Sequence, residues 1–154
     1  MKNFKTRGFE SVGSTFMVGP YFKTPTLGTQ DSAAYDFYAT EDIDILPGKT
    51  GKIYTNIKAY MLKDEVLIMN VRSSIGIKQN LSMCNTQGWI DSDYYSNVDN
   101  DGNIIICLKN NGSETAVIEM GDRIAQGMFI KRLPADDITS NTKRVGGVGS
   151  TNKT

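Results

Sequence analysis

Residues 103–120 read Asn-Ile-Ile-Ile-Cys-Leu-Lys-Asn-Asn-Gly-Ser-Glu-Thr-Ala-Val-Ile-Glu-Met, and this stretch sets the fold class. Ile104, Ile105 and Ile106 are β-branched, which crowds a helix but suits a pleated strand. Their unbroken run predicts a strand from Asn103 to Leu108 that is buried on both faces. Asn111-Gly112 follows, a pair that accepts the positive φ of a tight hairpin turn. Thr115 to Met120 then reads as a second strand.

The same signature extends in both directions. Downstream, Ile124 to Ile130 is a third β-prone run. Upstream lie Glu65 to Val71 and the roughly alternating Ile53 to Met61. Pro47-Gly48, Lys63-Asp64 and Asp101-Gly102 supply turns between them. No segment keeps a helical period with caps. Gly121-Asp122-Arg123 could open one helical turn, although the residues after it read equally well as strand. Many short strands with regular turns imply an all-β sandwich, jelly roll or barrel. The chain's 154 residues fit one domain, with no internal repeat.

Composition narrows the function. Hydrophobic residues make up 39% and charged residues 22%, ordinary for a globular protein. Lys plus Arg equals Asp plus Glu at 17 each, so no global field steers the chain toward nucleic acid or an anionic membrane. No apolar run approaches the roughly 20 residues of a bilayer span. The basic start, Met1 to Arg7, has no apolar stretch behind it, so no secretory signal is expected. Cys84 and Cys107 sit in apolar or strand-like segments, which predicts buried free thiols and a reducing, cytoplasmic setting. There is no histidine, which removes Ser-His-Asp and Cys-His nucleophiles and His-based zinc sites. Catalysis must use carboxylates, Tyr, Lys, Arg, hydroxyls, backbone dipoles or a hard metal.

Four segments could carry such chemistry. Ser32 to Ala39 places Asp36 inside an apolar strand. Arg72-Ser73-Ser74, with Gly76 nearby, suits an oxyanion through a guanidinium, hydroxyls and backbone N–H groups. Asn85 to Tyr95 crowds Asp91, Asp93, Tyr94 and Tyr95 around a hairpin-like turn. It lacks the glycine and terminal glutamate of a calcium loop. The last stretch, 139–154, is poor in hydrophobic residues and cannot fold alone. Its Arg144-Val145-Gly146-Gly147-Val148-Gly149-Ser150-Thr151 can cradle phosphate with backbone amides. It is not a Walker A loop, which needs Lys before the hydroxyl and a helix after it. Taken singly, each segment also reads as a solvated strand, a polar turn or a frayed terminus.

Together and in this order they resemble the five motifs of the trimeric dUTPase family. Asp36 falls in the first motif and Arg72-Ser73-Ser74 in the second. Gly88-Trp89-Ile90-Asp91-Ser92-Asp93-Tyr94 forms the third, Gly121-Asp122-Arg123-Ile124-Ala125-Gln126 the fourth and Arg144 to Thr151 the fifth. The resemblance implies a jelly-roll-like β-barrel core over 1–138 and a flexible C-terminal arm over 139–154. It implies a homotrimer whose sites each use more than one subunit, with the arm of one chain closing over a site formed by others. The reaction implied is hydrolysis of dUTP to dUMP and pyrophosphate with Mg2+.

Residue by residue, the resemblance makes Asp91 the acid that activates the attacking water, a role a carboxylate can fill. Asn85, Gly88 and Ile90 fall where the third motif lines the uracil, and Tyr94 where a tyrosine packs on the deoxyribose. Arg72, Ser73, Ser74 and Gln126 fall at phosphate contacts. Arg144, Ser150 and Thr151 match the arm's contacts to the terminal phosphates, with Val148 capping the base. Asp36 matches the acid that reaches magnesium through water. No membrane and no stable nucleic-acid binding are implied.

The chain departs from the family pattern at several places. Val148 stands where most members carry an aromatic that stacks on uracil. Such stacking is worth roughly 1–3 kcal/mol, so the change costs about a factor of ten at the low end. Ser96 replaces a glycine, which adds strain if φ is positive there. Ala34 and Asn152 also replace glycines. Two other readings remain: a regulatory, protein-binding member of the family with weak hydrolysis, and dCTP deaminase, an enzyme on a related fold.

Overall fold

The computed structural model describes residues 4–137 and 140–152. The expected boundary between core and arm falls on Ile138 and Thr139, outside the described residues. Among these residues twelve strands follow in chain order: β1 (Gly8–Ser11), β2 (Thr26–Leu27), β3 (Tyr35–Tyr38), β4 (Ile43–Ile45), β5 (Thr50–Tyr54), β6 (Ile57–Tyr60), β7 (Glu65–Val71), β8 (Leu81–Met83), β9 (Gly88–Asp91), β10 (Ile105–Asn110), β11 (Ala116–Ile118) and β12 (Arg123–Lys131).

Every pairing between them is antiparallel. The largest sheet has the order β2-β3-β12-β7-β9, and a second has the order β5-β10-β8. Two further ladders join β1 to β6 and β4 to β11. Phe37, Leu67 and Met69 from the first sheet meet Ile53, Ile106 and Leu108 from the second in one core. The architecture is all-β and jelly-roll-like.

The isoleucine run is covered differently from expectation. Ile104, Ile106 and Leu108 are fully buried, while Ile105 and Cys107 are half-buried. With side chains alternating along a strand, only one face of β10 meets the core. The same alternation overturns the buried-thiol reading. Cys84 follows the inward Met83 and is exposed; Cys107, between two inward residues, is half-covered.

Two turns also differ. The segment 53–61 is not one strand: it breaks between β5 and β6 at Asn56, which has φ +57°. The buried Asn56 side chain accepts from Val18 N at 2.9 Å and donates to Val18 O and Tyr21 O, both at 3.0 Å. It thereby pins the N-terminal segment to the barrel. Asn111-Gly112 makes no hairpin, since neither residue has positive φ and β11 pairs with β4 rather than β10. Here Asn110 steers the crossing, donating to Ile45 O at 2.7 Å and Glu114 O at 2.8 Å. After Gly121, at φ +92°, the chain enters β12 directly without a helical turn.

Candidate functional site

β9 is the edge strand of the five-stranded sheet, with Gly88 opposite Met69 and Asp91 opposite Val66 on β7. Its position leaves the Asp91 side chain 57% exposed. The preceding turn is tight, with Thr86 N bonded to Met83 O and Gln87 N to Asn85 O. It is not a paired hairpin, because β8 pairs with β10 while β9 pairs with β7. A Cβ on Gly88 would sit 3.1 Å from Met69 Cβ, so the strand packs close there.

A 3-10 turn, Ser92–Tyr94, swings Tyr94 inward. Its hydroxyl donates to Asn103 O at 3.0 Å and accepts from Asn100 Nδ2 at 2.8 Å. Burial pushes this phenol above its ordinary pKa. The loop after it is more than a hairpin connection. Asn97 Nδ2 donates to Tyr94 O and to Asn100 Oδ1, both at 2.8 Å. Ser96 sits at φ +54°, the left-handed conformation for which glycine is better suited.

The loop also holds the C-terminal arm. Gly147 N donates to Asp99 Oδ2 at 2.8 Å. A Cβ on Gly146 would collide with the same carboxylate, so only glycine permits this approach. Arg144 then reaches Asp93 through Nε at 2.8 Å and Asp91 through Nη2. Burial works to lower the Arg144 pKa, but Asp93 and Asp91 outweigh it and hold it above the usual value.

Two cavities lie along β9, and Asp91 lines only the larger. One, of about 240 Å³, is walled by Asn85, Gly88, Ile90, Tyr94 and Val148. The other, of about 440 Å³, takes in the acids Glu65, Asp91 and Asp93, the cations Arg132, Lys143 and Arg144, and Ser150. Arg144 and Thr151 line both, so the two adjoin. A slot of mixed polarity, walled in part by Ile90, Tyr94 and Val148, thus adjoins a hydroxyl-lined space in which three carboxylates stand among the cations Arg132, Lys143 and Arg144.

The remaining candidates form a separate cluster. Gln126 lies opposite Asp36 on one side of β12 and Asn70 on the other. Arg72, just beyond β7, sets its Nε 2.8 Å from Asp36 Oδ1. Ser73 and Ser74 follow at the start of a wide helical turn, Ser74–Lys78. At about 3.3 Å per residue, the six steps of β7 from Val66 to Arg72 separate this cluster from Asp91 by roughly 20 Å. One chain therefore gathers Asn85, Gly88, Ile90, Asp91, Tyr94, Arg144, Val148, Ser150 and Thr151 in one place. It brings Asp36, Arg72, Ser73, Ser74 and Gln126 together in another.

The dUTPase family model matches residues 20–152. The chain belongs to the dUTPase family. It is 42% identical over 149 residues to a deoxyuridine 5'-triphosphate nucleotidohydrolase of Lactococcus lactis, covering 96% of this chain and 98% of the relative. A namesake from Haemophilus influenzae is 33% identical over 144 residues, with 88% and 91% covered. The crystal structure of dUTPase from Streptococcus mutans superposes with a TM-score of 0.75 at 35% identity, covering 84% of this chain and 99% of that one.

Three residues in this dUTPase went unassigned from sequence. Arg123 Nη1 lies 3.5 Å from Asp36 Oδ2 and shares that acid with Arg72. Asp93 is the second anchor of Arg144. Trp89 is 60% exposed and lines the smaller cavity beside Val148. All three stood in quoted motifs, but an outward or inward direction at one position is not written in the motif.

The described residues contain no group of three or more metal-ligating side chains. Magnesium keeps several waters and takes substrate phosphates directly, so such a cage is not needed. Asp36 is buried between two guanidiniums, with Arg72 Nε 2.8 Å from Oδ1 and Arg123 Nη1 3.5 Å from Oδ2, and a Cβ added to Gly28 would stand 3.7 Å from Oδ2.

Proposed function

We propose that the chain is a homotrimeric dUTP diphosphatase that hydrolyses dUTP to dUMP and pyrophosphate, with Asp91 activating the water. The supporting observation is the position of Asp91, exposed in a hydroxyl-lined cavity beside Arg132, Lys143 and Arg144, one residue along β9 from Ile90, which lines the adjoining smaller cavity. Uracil occupies the first, read by the tight backbone of Asn85 to Gly88 and flanked by Ile90. Tyr94 packs on the sugar. The Asp91 carboxylate takes a proton from water as its oxygen attacks the α-phosphorus; the bond to the bridging oxygen breaks and pyrophosphate leaves. Arg144, Ser150 and Thr151 hold the terminal phosphates. These groups position the substrate and offset its charge, the main task in phosphoryl transfer.

Arg72, Ser73, Ser74 and Gln126 complete the site from a neighbouring subunit. The roughly 20 Å along β7 between Asp91 and Arg72 supports this, since the acid and the guanidinium would have to serve one short phosphate chain. Mg2+, held through water by Asp36 and directly by substrate phosphates, would neutralise charge on those phosphates. Such a reaction keeps uracil out of DNA and supplies dUMP for dTMP synthesis in a cytoplasmic setting.

The test is pyrophosphate release from dUTP with Mg2+, compared with dTTP, dCTP and UTP, for the wild type and Asp91→Asn. Selective release from dUTP that falls about 10²–10⁴-fold in the variant supports the reading, as loss of a general base predicts. Ammonia release from dCTP would instead indicate the deaminase. Binding of dUTP without hydrolysis would favour a regulatory member of the family.

A further inference from the structure

The chain has two cysteines, and the fold sets them side by side. The β8–β10 ladder pairs Met83 with Leu108, so one step further Cys84 faces Cys107. Cys84 N donates to Cys107 O at 2.8 Å, which fixes that register. The two sulfurs lie 2.8 Å apart. Directly opposed strand residues hold their Cα atoms about 4.5–5.5 Å apart, inside the roughly 4.4–6.8 Å range a disulfide accepts. Cys84 is exposed and Cys107 half-buried, so a small reagent reaches the first and the second can resolve the adduct.

The pair adjoins the base cavity. Met83 and Asn85, on either side of Cys84, both line it. We propose that Cys84 and Cys107 are a modification site that takes a reversible intrachain disulfide by exchange with a small-molecule disulfide such as oxidised glutathione, and that the bond weakens nucleotide binding. The second half rests on the assignment of this cavity to the base.

The exchange balances. The Cys84 thiolate attacks one glutathione sulfur and expels a glutathione thiolate. The Cys107 thiolate then attacks Cys84 Sγ and expels the second. Two protein thiols are oxidised, and one small disulfide is reduced to two thiols. Burial, then the hydrogen bond with Cys107, pushes the Cys84 thiol up to about 11. Few thiolates exist at neutral pH, so the exchange is slow there and accelerates as pH rises.

Closing the sulfurs from 2.8 Å to the roughly 2.05 Å of a disulfide draws Cys84, and with it Asn85, toward β10. Asn85 belongs to the wall of the base cavity, so displacing it removes binding common to ground and transition states and should raise KM for dUTP about tenfold.

The experiment treats the full chain with oxidised glutathione at pH 8.5. Peptide mapping, free-thiol titration and steady-state kinetics follow, with Cys84→Ser and Cys107→Ser as controls. The expected result is a Cys84–Cys107 bond, loss of both thiols, a KM near tenfold higher with kcat little changed, and full reversal by dithiothreitol. Neither serine variant should respond in KM. A persistent glutathione adduct, a bond between chains, unreacted thiols, or a mapped disulfide with unchanged KM overturns the proposal. Mapping does not depend on catalysis. If dUTP were not hydrolysed at all, the mapped bond would still stand or fall, and dUMP titration followed by Trp89 fluorescence would report on the cavity.

Discussion

The guanidinium of Arg144 donates to the carboxylate of Asp91, 53 residues earlier in the chain. Asp93 holds the same guanidinium at 2.8 Å, so the arm carries its cation to the rim where the proposed base stands. Arg144 engages only Oδ2 of Asp91. In the proposed reaction substrate phosphates would draw the same guanidinium to themselves and leave both oxygens to water.

Arg144→Ala should therefore lower kcat/KM for dUTP about 10–100-fold, the worth of one hydrogen bond to a charged group at about 1.5–3 kcal/mol. Arg144→Lys should recover little of it, because an ammonium lacks the planar fork that spans Asp91 and Asp93. Steady-state kinetics on both variants checks this.

Separation of Asp91 from Arg72 within one chain makes complementation possible. In the proposed homotrimer, Asp91→Asn and Arg72→Ala should each be inactive on their own. In trimers reassembled from an equal mixture, about a quarter of directed interfaces pair an intact Asp91 with an intact Arg72. Activity near that fraction of wild type is expected. A mixture as inactive as its parents would place both residues in one subunit's site.

Trp89 is the chain's one tryptophan and lines the smaller cavity, the proposed seat of the base, beside Val148. Binding of dUMP should change its emission, which measures affinity without turnover. Val148→Phe restores the stacking aromatic of the family pattern and should tighten dUMP about tenfold by the same readout.

Acid should loosen the fold through Glu65. Arg7 donates to it through Nε at 3.0 Å, and this hydrogen bond holds Glu65 below its usual 4.5 against the opposing effect of burial. A carboxylate depressed in the folded state contributes fully above its unfolded value. That contribution is lost as pH falls through the lower folded value. Glu65→Gln should melt lower than wild type at pH 7 and lose less stability between about pH 5 and 3. Thermal melts followed by circular dichroism across that range test it.

Much of this protein was legible in its residues. The β-branched runs fixed an all-β class, because strand propensity and period two are local properties. The ordered motifs identified the family, which the match over residues 20–152 shows. Local residues could not say which strands pair. Asn110 bonds Ile45, 65 positions away, and so sends the chain to β4 where Asn111-Gly112 read as a hairpin. Asn56 breaks an apparently continuous strand because its buried amide ties down Val18 and Tyr21. Only the tertiary structure set Cys84 against Cys107 and Arg144 on Asp91. It likewise put roughly 20 Å of β7 between Asp91 and Arg72, because these relationships arise from strand register rather than from sequence spacing.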